Sequence, residues 1–156
     1  MAERGKSVEP SDETDTLMDA DRQAAQFERV RNAQQTEKAE DYVEMIDDLI
    51  NAYGEARVTD LAQRFGVSHA TVNKIVKRLQ RDGLVTSRPY RSIFLTEQGS
   101  ALAQASRERH QIVLNFLRAI GVSARNAELD AEGIEHYVSA ETLAAFERIT
   151  SEKDDV

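Results

Sequence analysis

Apolar residues recur at helical spacing along most of the chain, and glycines or small hydroxyl residues separate the stretches. The first clear stripe covers residues 39–51 and ends at Gly54. Five more helices are predicted, each beginning after a hydroxyl side chain that can cap it: Thr59, Ser68, Thr96, Ser123 and Ser139. The helix after Ser123 is expected to reach about residue 137. The pattern therefore predicts a mainly α protein.

Two short β-rich runs interrupt the helices. Residues 84–86 and 93–95 flank a basic segment, residues 87–92, which predicts a two-stranded β hairpin. Helix, glycine turn, helix and hairpin follow one another in the order of a winged helix-turn-helix.

The ends of the chain differ in character. Residues 1–18 are polar and predicted to be disordered, residues 19–38 to form a helical extension, and residues 151–156 to be a frayed tail.

Composition excludes several classes of protein. The chain has 156 residues and no cysteine, which removes disulfides, thiolate metal sites and cysteine nucleophiles. No apolar run approaches the ~18 residues of a membrane span, so an integral membrane role is not expected. The N-terminal residues lack the apolar core of a secretory signal, and we expect a cytoplasmic protein.

Positive charge is concentrated in one part of an acidic chain. The net charge is −8, yet residues 57–92 carry +6 and the remaining residues −14. The second helix of the predicted helix-turn-helix presents short polar groups first and cations further along, a division that suits base edges and phosphates. The candidate DNA-binding residues are Ser68, His69, Thr71, Asn73, Lys74, Lys77, Arg78 and, in the wing, Arg88 and Arg91. The alternatives are a packing unit with solvated cations and, for His69, a surface histidine without a base contact.

Candidate metal ligands lie on three predicted helices, where their spacing places them on shared faces. They are Asp41 and Glu44 on the first, His110 on the helix after Thr96, and Glu132, Glu135 and His136 on the next. If they converge, four carboxylates repel one another and a divalent cation relieves the repulsion. Oxygen and imidazole ligands without sulfur favour Mn²⁺, with Fe²⁺ and Zn²⁺ as alternatives. Solvated acidic pairs and structural histidines are the other interpretation.

Together these motifs resemble the diphtheria-toxin-repressor family, in particular its manganese-responsive branch. The pieces are EDYVEMIDDLI, VTDLAQRFGVSHATVNKIVKRLQRDGLV, FLTEQG, SRERHQIVLNFLRAIGV and DAEGIEHYVS. The resemblance implies a winged-helix DNA-binding domain over 39–96 and a helical metal-binding and dimerisation domain over 97–150. It also implies a homodimer that represses manganese uptake genes at a palindromic operator, with Mn²⁺ as corepressor.

The resemblance implies that the six candidate residues are metal ligands, which can bind a two-ion site with bridging carboxylates. In iron-responsive relatives a Met stands at the position of Asp41 and a Cys at that of Glu135, so these two residues indicate the manganese branch. Several members of that branch have a second histidine where this chain has Tyr137, which is not expected to matter because only the first histidine is a ligand.

Two rival functions come from other classes. One is a metal-independent winged-helix regulator, which chelator-insensitive DNA binding would favour. The other is a di-iron carboxylate enzyme, which requires two Glu-x-x-His pairs. Glu132 and His136 are four residues apart, and Arg107 stands three residues before His110. This spacing does not fit the di-iron class. The ligand set is saturated, and no nucleophile or base is evident for a substrate, so the sequence predicts no catalysis.

Overall fold

The computed structural model describes residues 17–154, which form six helices and one two-stranded antiparallel sheet. In chain order the elements are α1 (Ala20–Tyr53), α2 (Val58–Phe65), α3 (His69–Arg81), β1 (Val85–Thr86), β2 (Phe94–Leu95), α4 (Glu97–Ala119), α5 (Ala124–Ile134) and α6 (Ala140–Asp154). The mainly α prediction with a helix-turn-helix and a β wing is confirmed. Residues 1–16 and 155–156, which belong to the two predicted tails, lie outside the described residues.

Helix α1 is one continuous helix of 34 residues. The prediction of a separate extension over 19–38 followed by a helix over 39–51 is therefore wrong at the junction. No glycine or proline interrupts the segment, and the Asp19 side chain accepts a hydrogen bond from the Arg22 N–H at its start. The apolar stripe fades before residue 39 because the extension has little to pack against, and Phe27 is 59% exposed there. Gly54, with a left-handed φ of 82°, ends the helix.

Four of the five predicted N-caps are confirmed. The hydroxyls of Ser68, Thr96, Ser123 and Ser139 each accept a hydrogen bond from the N–H three residues further on. Thr59 is not a cap, because α2 begins at Val58 after Arg57, whose side chain makes no capping bond. The chain pairs at Ala56 with Ile93 and then turns directly into α2, so that the helix begins two residues earlier than predicted.

The DNA-binding half has one continuous core, to which α1 contributes together with the helix-turn-helix and the wing. Tyr42, Ile46 and Leu49 of α1 pack against buried apolar residues of α2, α3 and the wing. Gly99, at the start of α4, lies very close to the backbone of Leu84. A Cβ added at Gly99 would be 2.0 Å from the Leu84 carbonyl oxygen. Because α1 shares this core, its orientation and that of α3 change together.

The second half is smaller and helical. Its core cluster combines α4, α5 and α6, with Phe116 and Phe146 stacked at a centroid distance of 3.9 Å. The two halves meet where α1 packs along α4. Arg107 of α4 strengthens this contact through ion pairs with Asp47, at 2.5 Å, and Asp48, at 2.6 Å.

Helix α5 ends at Ile134, short of the predicted residue 137. Glu135 is its C-cap and His136 lies in the following turn, where Tyr137 N–H donates to the Ile134 carbonyl. The prediction that Glu132, Glu135 and His136 share one face of one helix is therefore wrong for His136. The tightened last turn directs its side chain toward α1, as the contact with Glu40 shows.

Helix α6 continues to Asp154, so the predicted frayed tail from residue 151 is helical as far as it is described. No helix in the described part of the chain combines the length and the apolar character needed to cross a lipid bilayer.

Candidate metal centre and nucleic-acid interface

The six predicted ligands lie together at the junction of the two halves, on three elements. Helix α1 presents Asp41 and Glu44, α4 presents His110, and the end of α5 and the turn after it present Glu132, Glu135 and His136. Five of them fall into two neighbouring clusters, each centred on one imidazole, and Glu44 belongs to neither cluster.

The His110 cluster belongs entirely to the second half. His110 Nδ1 lies 2.8 Å from Glu135 Oε2 and 3.7 Å from Glu132 Oε1. His110 Nε2 lies 3.4 Å from Glu128 Oε2 on the other side of the ring. Ligand atoms of His110, Glu132 and Glu135 all lie within 4.8 Å of one another, which is close enough to surround one cation.

The His136 cluster joins the two halves. His136 Nε2 lies 3.5 Å from Asp41 Oδ1 and 3.3 Å from Glu135 Oε1. Glu37, Asp41 and His136 likewise offer ligand atoms within 4.8 Å of one another. Glu135 therefore belongs to both clusters, with one carboxylate oxygen toward each imidazole, as a bridging carboxylate would be placed.

Glu44 lies beside both clusters on α1. Burial raises the pKa of its carboxyl group against the opposing effects of Ser106 and Arg107, and the charges of Glu132 and Asp41 raise it further. The Glu44 carboxylate therefore interacts electrostatically with candidate ligands from both halves, Asp41 and Glu132.

The titration of the central groups reflects crowded negative charge. Burial raises the pKa of Glu135 to about 7, although His110 and His136 oppose this shift. Burial lowers the pKa of His136, but hydrogen bonds to Asp41 and Glu40 and nearby carboxylate charges outweigh it and raise the pKa to about 10. The pKa of His110 is also raised, because the charges of Glu135 and Glu132 outweigh burial. Protons thus provide positive charge among these carboxylates.

The residues present fit a divalent cation. Glu135 is buried, with its side chain 2% exposed, yet its Oε2 atom accepts no hydrogen bond of good geometry even though His110 Nδ1 is near. A buried carboxylate oxygen without a donor is costly, and a cation satisfies it. The donor set of oxygens and imidazole nitrogens is the type that hard and borderline divalent ions use.

Four residues at this centre were not predicted from the sequence: Glu37, Glu40, Arg109 and Glu128. Glu37 is one turn before Asp41, so the spacing could have revealed it had α1 been recognised as continuous. Glu40 is buried and contacts both His136 and Arg109. No sequence signal distinguishes Glu40 from the solvated acidic residues around it.

The predicted DNA-binding residues lie on one surface formed by α3 and the wing, and all are exposed. Ser68 caps α3, while Asn73, Lys74 and Lys77 line shallow depressions along it. Among the described residues, the ion pair of Arg78 is a long one of 3.8 Å with Asp82, and the exposed guanidinium is accessible to phosphate.

A groove of about 770 Å³ separates α3 from the wing. His69, Asn73 and Lys77 line one side, and Arg88 and Arg91 line the other. Arg57, which the sequence analysis did not select, also borders this groove. The concentration of cations here gives a phosphate backbone a favourable path between helix and wing.

Fold and site together define a class of protein: a winged-helix DNA-binding regulator with a metal centre between its DNA-binding and helical halves. Comparison with known proteins narrows the class. Residues 34–93 match the family "Iron dependent repressor, N-terminal DNA binding domain", and residues 96–152 match "Iron dependent repressor, metal binding and dimerisation domain".

Curated relatives share this organisation. The chain is 56% identical over 124 residues to the transcriptional regulator MntR of Escherichia coli O157:H7, covering 80% of each chain. It is 52% identical over 134 residues to the MntR of Escherichia coli O6:H1, covering 86% of each. It is 41% identical over 104 residues to the HTH-type transcriptional regulator MntR of Geobacillus kaustophilus, covering 67% of this chain and 74% of the relative.

Solved structures share the fold. A structure described as "Manganese-dependent transcriptional repressor complex with manganese" aligns with a TM-score of 0.64 and 28% identity, over 72% of this chain and 52% of the other. The metal-dependent transcriptional regulator MtsR aligns with a TM-score of 0.65 at 22% identity, over 72% of this chain and 53% of the other. The chain thus matches about half the length of these solved proteins.

The chain belongs to the iron-dependent, or diphtheria-toxin, repressor family, and within it to the group of MntR transcriptional regulators. It is a metal-dependent transcriptional repressor and not an enzyme. Its two domains bind DNA and mediate dimerisation, and its metal is a divalent cation.

Proposed function

We propose that the chain is a Mn²⁺-dependent repressor that acts in the cytoplasm as a homodimer, on a palindromic operator of manganese uptake genes. The observation that carries the proposal is the position of Glu135, whose two oxygens face two imidazoles in neighbouring clusters. A ligand set of carboxylates and imidazoles without sulfur supports Mn²⁺. A manganese complex of a structurally similar repressor is consistent with it.

The proposed ligands are Asp41, Glu44, His110, Glu132, Glu135 and His136. The two clusters suggest two cation positions that share Glu135. Glu37 adds a seventh candidate ligand on the Asp41 side, where ligand atoms of Glu37, Asp41 and His136 lie within 4.8 Å of one another.

A bound divalent cation supplies the positive charge that the clustered carboxylates lack. With their repulsion relieved, Asp41 and Glu44 hold α1 against the ligands of the second half. Helix α1 is also part of the core of the DNA-binding half, through Tyr42 and Ile46 among others. Fixing α1 therefore fixes the direction in which α3 faces DNA.

In a homodimer, this restraint acts on two recognition helices at once. Two α3 helices can enter successive major grooves when they are about one helical turn, ~34 Å, apart. We propose that without a cation the two halves sample several orientations, and that the ligands select the one with this spacing. A ~100-fold preference for that orientation supplies about 2.7 kcal/mol per site, which is enough to change operator occupancy.

The proposal is tested by fluorescence anisotropy on a duplex selected from a random pool by the Mn²⁺-loaded protein. Chelated protein is titrated with Mn²⁺, Zn²⁺ or, without oxygen, Fe²⁺. We expect Mn²⁺ to raise DNA affinity by at least tenfold. Glu132→Gln should abolish the gain, whereas Glu141→Gln, an exposed residue of α6 outside both clusters, should retain it.

Two outcomes would contradict the proposal. DNA binding of equal strength with and without chelator would favour a metal-independent regulator. If Mn²⁺ raises the DNA affinity of Glu132→Gln as much as that of the native chain, the His110 cluster takes no part in metal-dependent DNA binding.

A further inference from the structure

Glu40 occupies an unusual position for a carboxylate. It directly precedes Asp41 on α1, yet it is buried, with its side chain 3% exposed. Its neighbours on the described part of α1 before it are largely exposed to solvent. A buried charge persists only when it is paired and hydrogen-bonded, so the partners of Glu40 indicate why it is there.

Both oxygens of Glu40 are engaged by the second half of the molecule. Glu40 Oε2 lies 2.7 Å from His136 Nδ1, and Glu40 Oε1 forms a close ion pair with Arg109 Nη2 of α4. A carboxylate can only accept, so Nδ1 of His136 carries the proton and donates it to this bond. Neither oxygen is left to face the two ligand clusters, so Glu40 is not itself placed as a ligand.

The bond to Nδ1 determines what the other ring nitrogen can do. His136 Nε2 faces Asp41 Oδ1 at 3.5 Å and Glu135 Oε1 at 3.3 Å. A histidine ligand binds through one nitrogen and usually donates its other N–H to a carboxylate or carbonyl, which fixes the tautomer and the ring orientation. With Nδ1 committed to Glu40, only Nε2 remains to bind a cation beside Asp41.

Arg109 offsets the negative charge of Glu40 in a site that is crowded with carboxylates. Without its guanidinium, Glu40 would add another buried negative charge beside Asp41 and Glu135. Its side chain is 29% exposed, and its Nε and Nη2 atoms are buried without hydrogen bonds of good geometry. Within the described residues its ion pair is with Glu40 Oε1, whereas His136 contacts the other oxygen, Oε2.

We infer that Glu40, held by Arg109, is a positioning residue that orients His136 Nε2 toward the cation. This inference rests on the proposed function, because it assigns His136 as a ligand. It adds a residue pair outside the ligand set to the determinants of metal affinity.

The test compares Mn²⁺ affinity, from electron paramagnetic resonance of free Mn²⁺, in the native chain, in Glu40→Gln and in Glu28→Gln. Glu28 is an exposed carboxylate on the same helix and serves as the matched control. We expect Glu40→Gln to bind Mn²⁺ about 10- to 100-fold more weakly, the range seen when outer partners of metal ligands are changed. Glu28→Gln should bind as the native chain does.

A second measurement separates positioning from simple stabilisation. In Zn²⁺-loaded protein, the ring ¹⁵N resonances of His136 should report a protonated Nδ1 and a metal-bound Nε2, and Glu40→Gln should perturb the Nδ1 signal. Arg109→Gln should weaken Mn²⁺ binding by a smaller factor, and Arg109→Lys should restore part of the loss because it keeps a cation beside Glu40. A merely structural role would lower the melting temperature and leave both the affinity and the ring signals unchanged.

The outcomes distinguish this inference from the proposed function. If the native chain binds Mn²⁺ and Glu40→Gln binds it equally well, the positioning role is refuted and the ligand set stands. If the His136 ring signals of the native chain do not respond to metal at all, His136 is not a ligand. The positioning role of Glu40 and the proposed ligand set are then both refuted. Should Glu40→Gln not fold, the two Arg109 variants decide, because equal native-like affinity in both would refute the inference.

Discussion

The affinity of the metal centre should depend steeply on pH, because protons and cations compete for the same atoms. His136 has a pKa raised to about 10, so it is protonated at pH 7, and a protonated imidazole cannot ligate. Removing that proton at pH 7 costs about 4 kcal/mol, since the pKa lies about three units higher and each unit is worth about 1.4 kcal/mol.

The direction of the pH dependence follows from which protonation state of His136 the metal-free fold and the cation each require. A raised histidine pKa stabilises the metal-free fold fully below the unfolded pKa near ~6.5, and this contribution is lost as pH rises through about 10. Cation binding requires the neutral imidazole, which has lost that proton. We therefore expect Mn²⁺ affinity to rise about tenfold per pH unit from His136 alone. Glu135, whose pKa is raised to about 7, makes the slope steeper below neutral pH.

Calorimetry in buffers of different ionisation enthalpy measures this directly by counting protons released on Mn²⁺ binding. We expect at least one proton above pH 8, from His136 together with any that His110 still carries, and more below pH 7, where Glu135 is protonated as well. Oxygen is excluded to protect Mn²⁺. His136→Gln should bind more weakly and release about one proton fewer. A Mn²⁺ affinity that stays constant between pH 7.5 and 8.5 in the native chain would refute the assignment of His136 as a ligand.

Three further outcomes test other parts of the molecule. Lys74→Gln should weaken DNA binding on all sequences and reduce the slope of log K against log salt by about one, and an unchanged slope would remove this residue from the phosphate contacts. Gly99→Ala should lower the free energy of unfolding by about 1–3 kcal/mol in denaturant titration, because its Cβ would lie 2.0 Å from the Leu84 carbonyl oxygen; native stability would contradict that close approach. Tyr137→Phe removes the hydroxyl that donates to Glu37 Oε2 at 2.8 Å, so Mn²⁺ affinity in resonance titrations should fall by less than about tenfold. Unchanged affinity would argue that Glu37 is not a ligand.

Local chemistry made much of the fold predictable. A capping hydroxyl acts on an N–H three residues away, so Ser68 and Thr96 could be read without knowing the tertiary structure. Thr59 could not, because the start of α2 depends on the pairing of Ala56 with Ile93, a contact distant in sequence. The unbroken course of α1 was missed because its first half buries few side chains and leaves no apolar period to detect.

The site was predictable to the extent that its residues resemble those of a known family. Spacing placed Asp41 and Glu44 on one face, but no spacing rule brings them to His110 on a different helix. Glu40 and Arg109 were missed for a physical reason: whether a charged residue is solvated or buried is decided by tertiary packing. The position of His136 beyond the end of α5 also depends on a local tightening of the last turn that composition does not reveal.

The continuity of α1 protects the ligands from fraying. Helix ends open readily because their first N–H groups lack partners, and fraying is confined to the terminal turns. Since α1 begins at Ala20, its first turn is about six turns, roughly 30 Å, away from Asp41. A chain shortened to begin just before Glu40 would instead place the first carboxylates of the centre in the unravelling turn, where the backbone that carries them is no longer rigid.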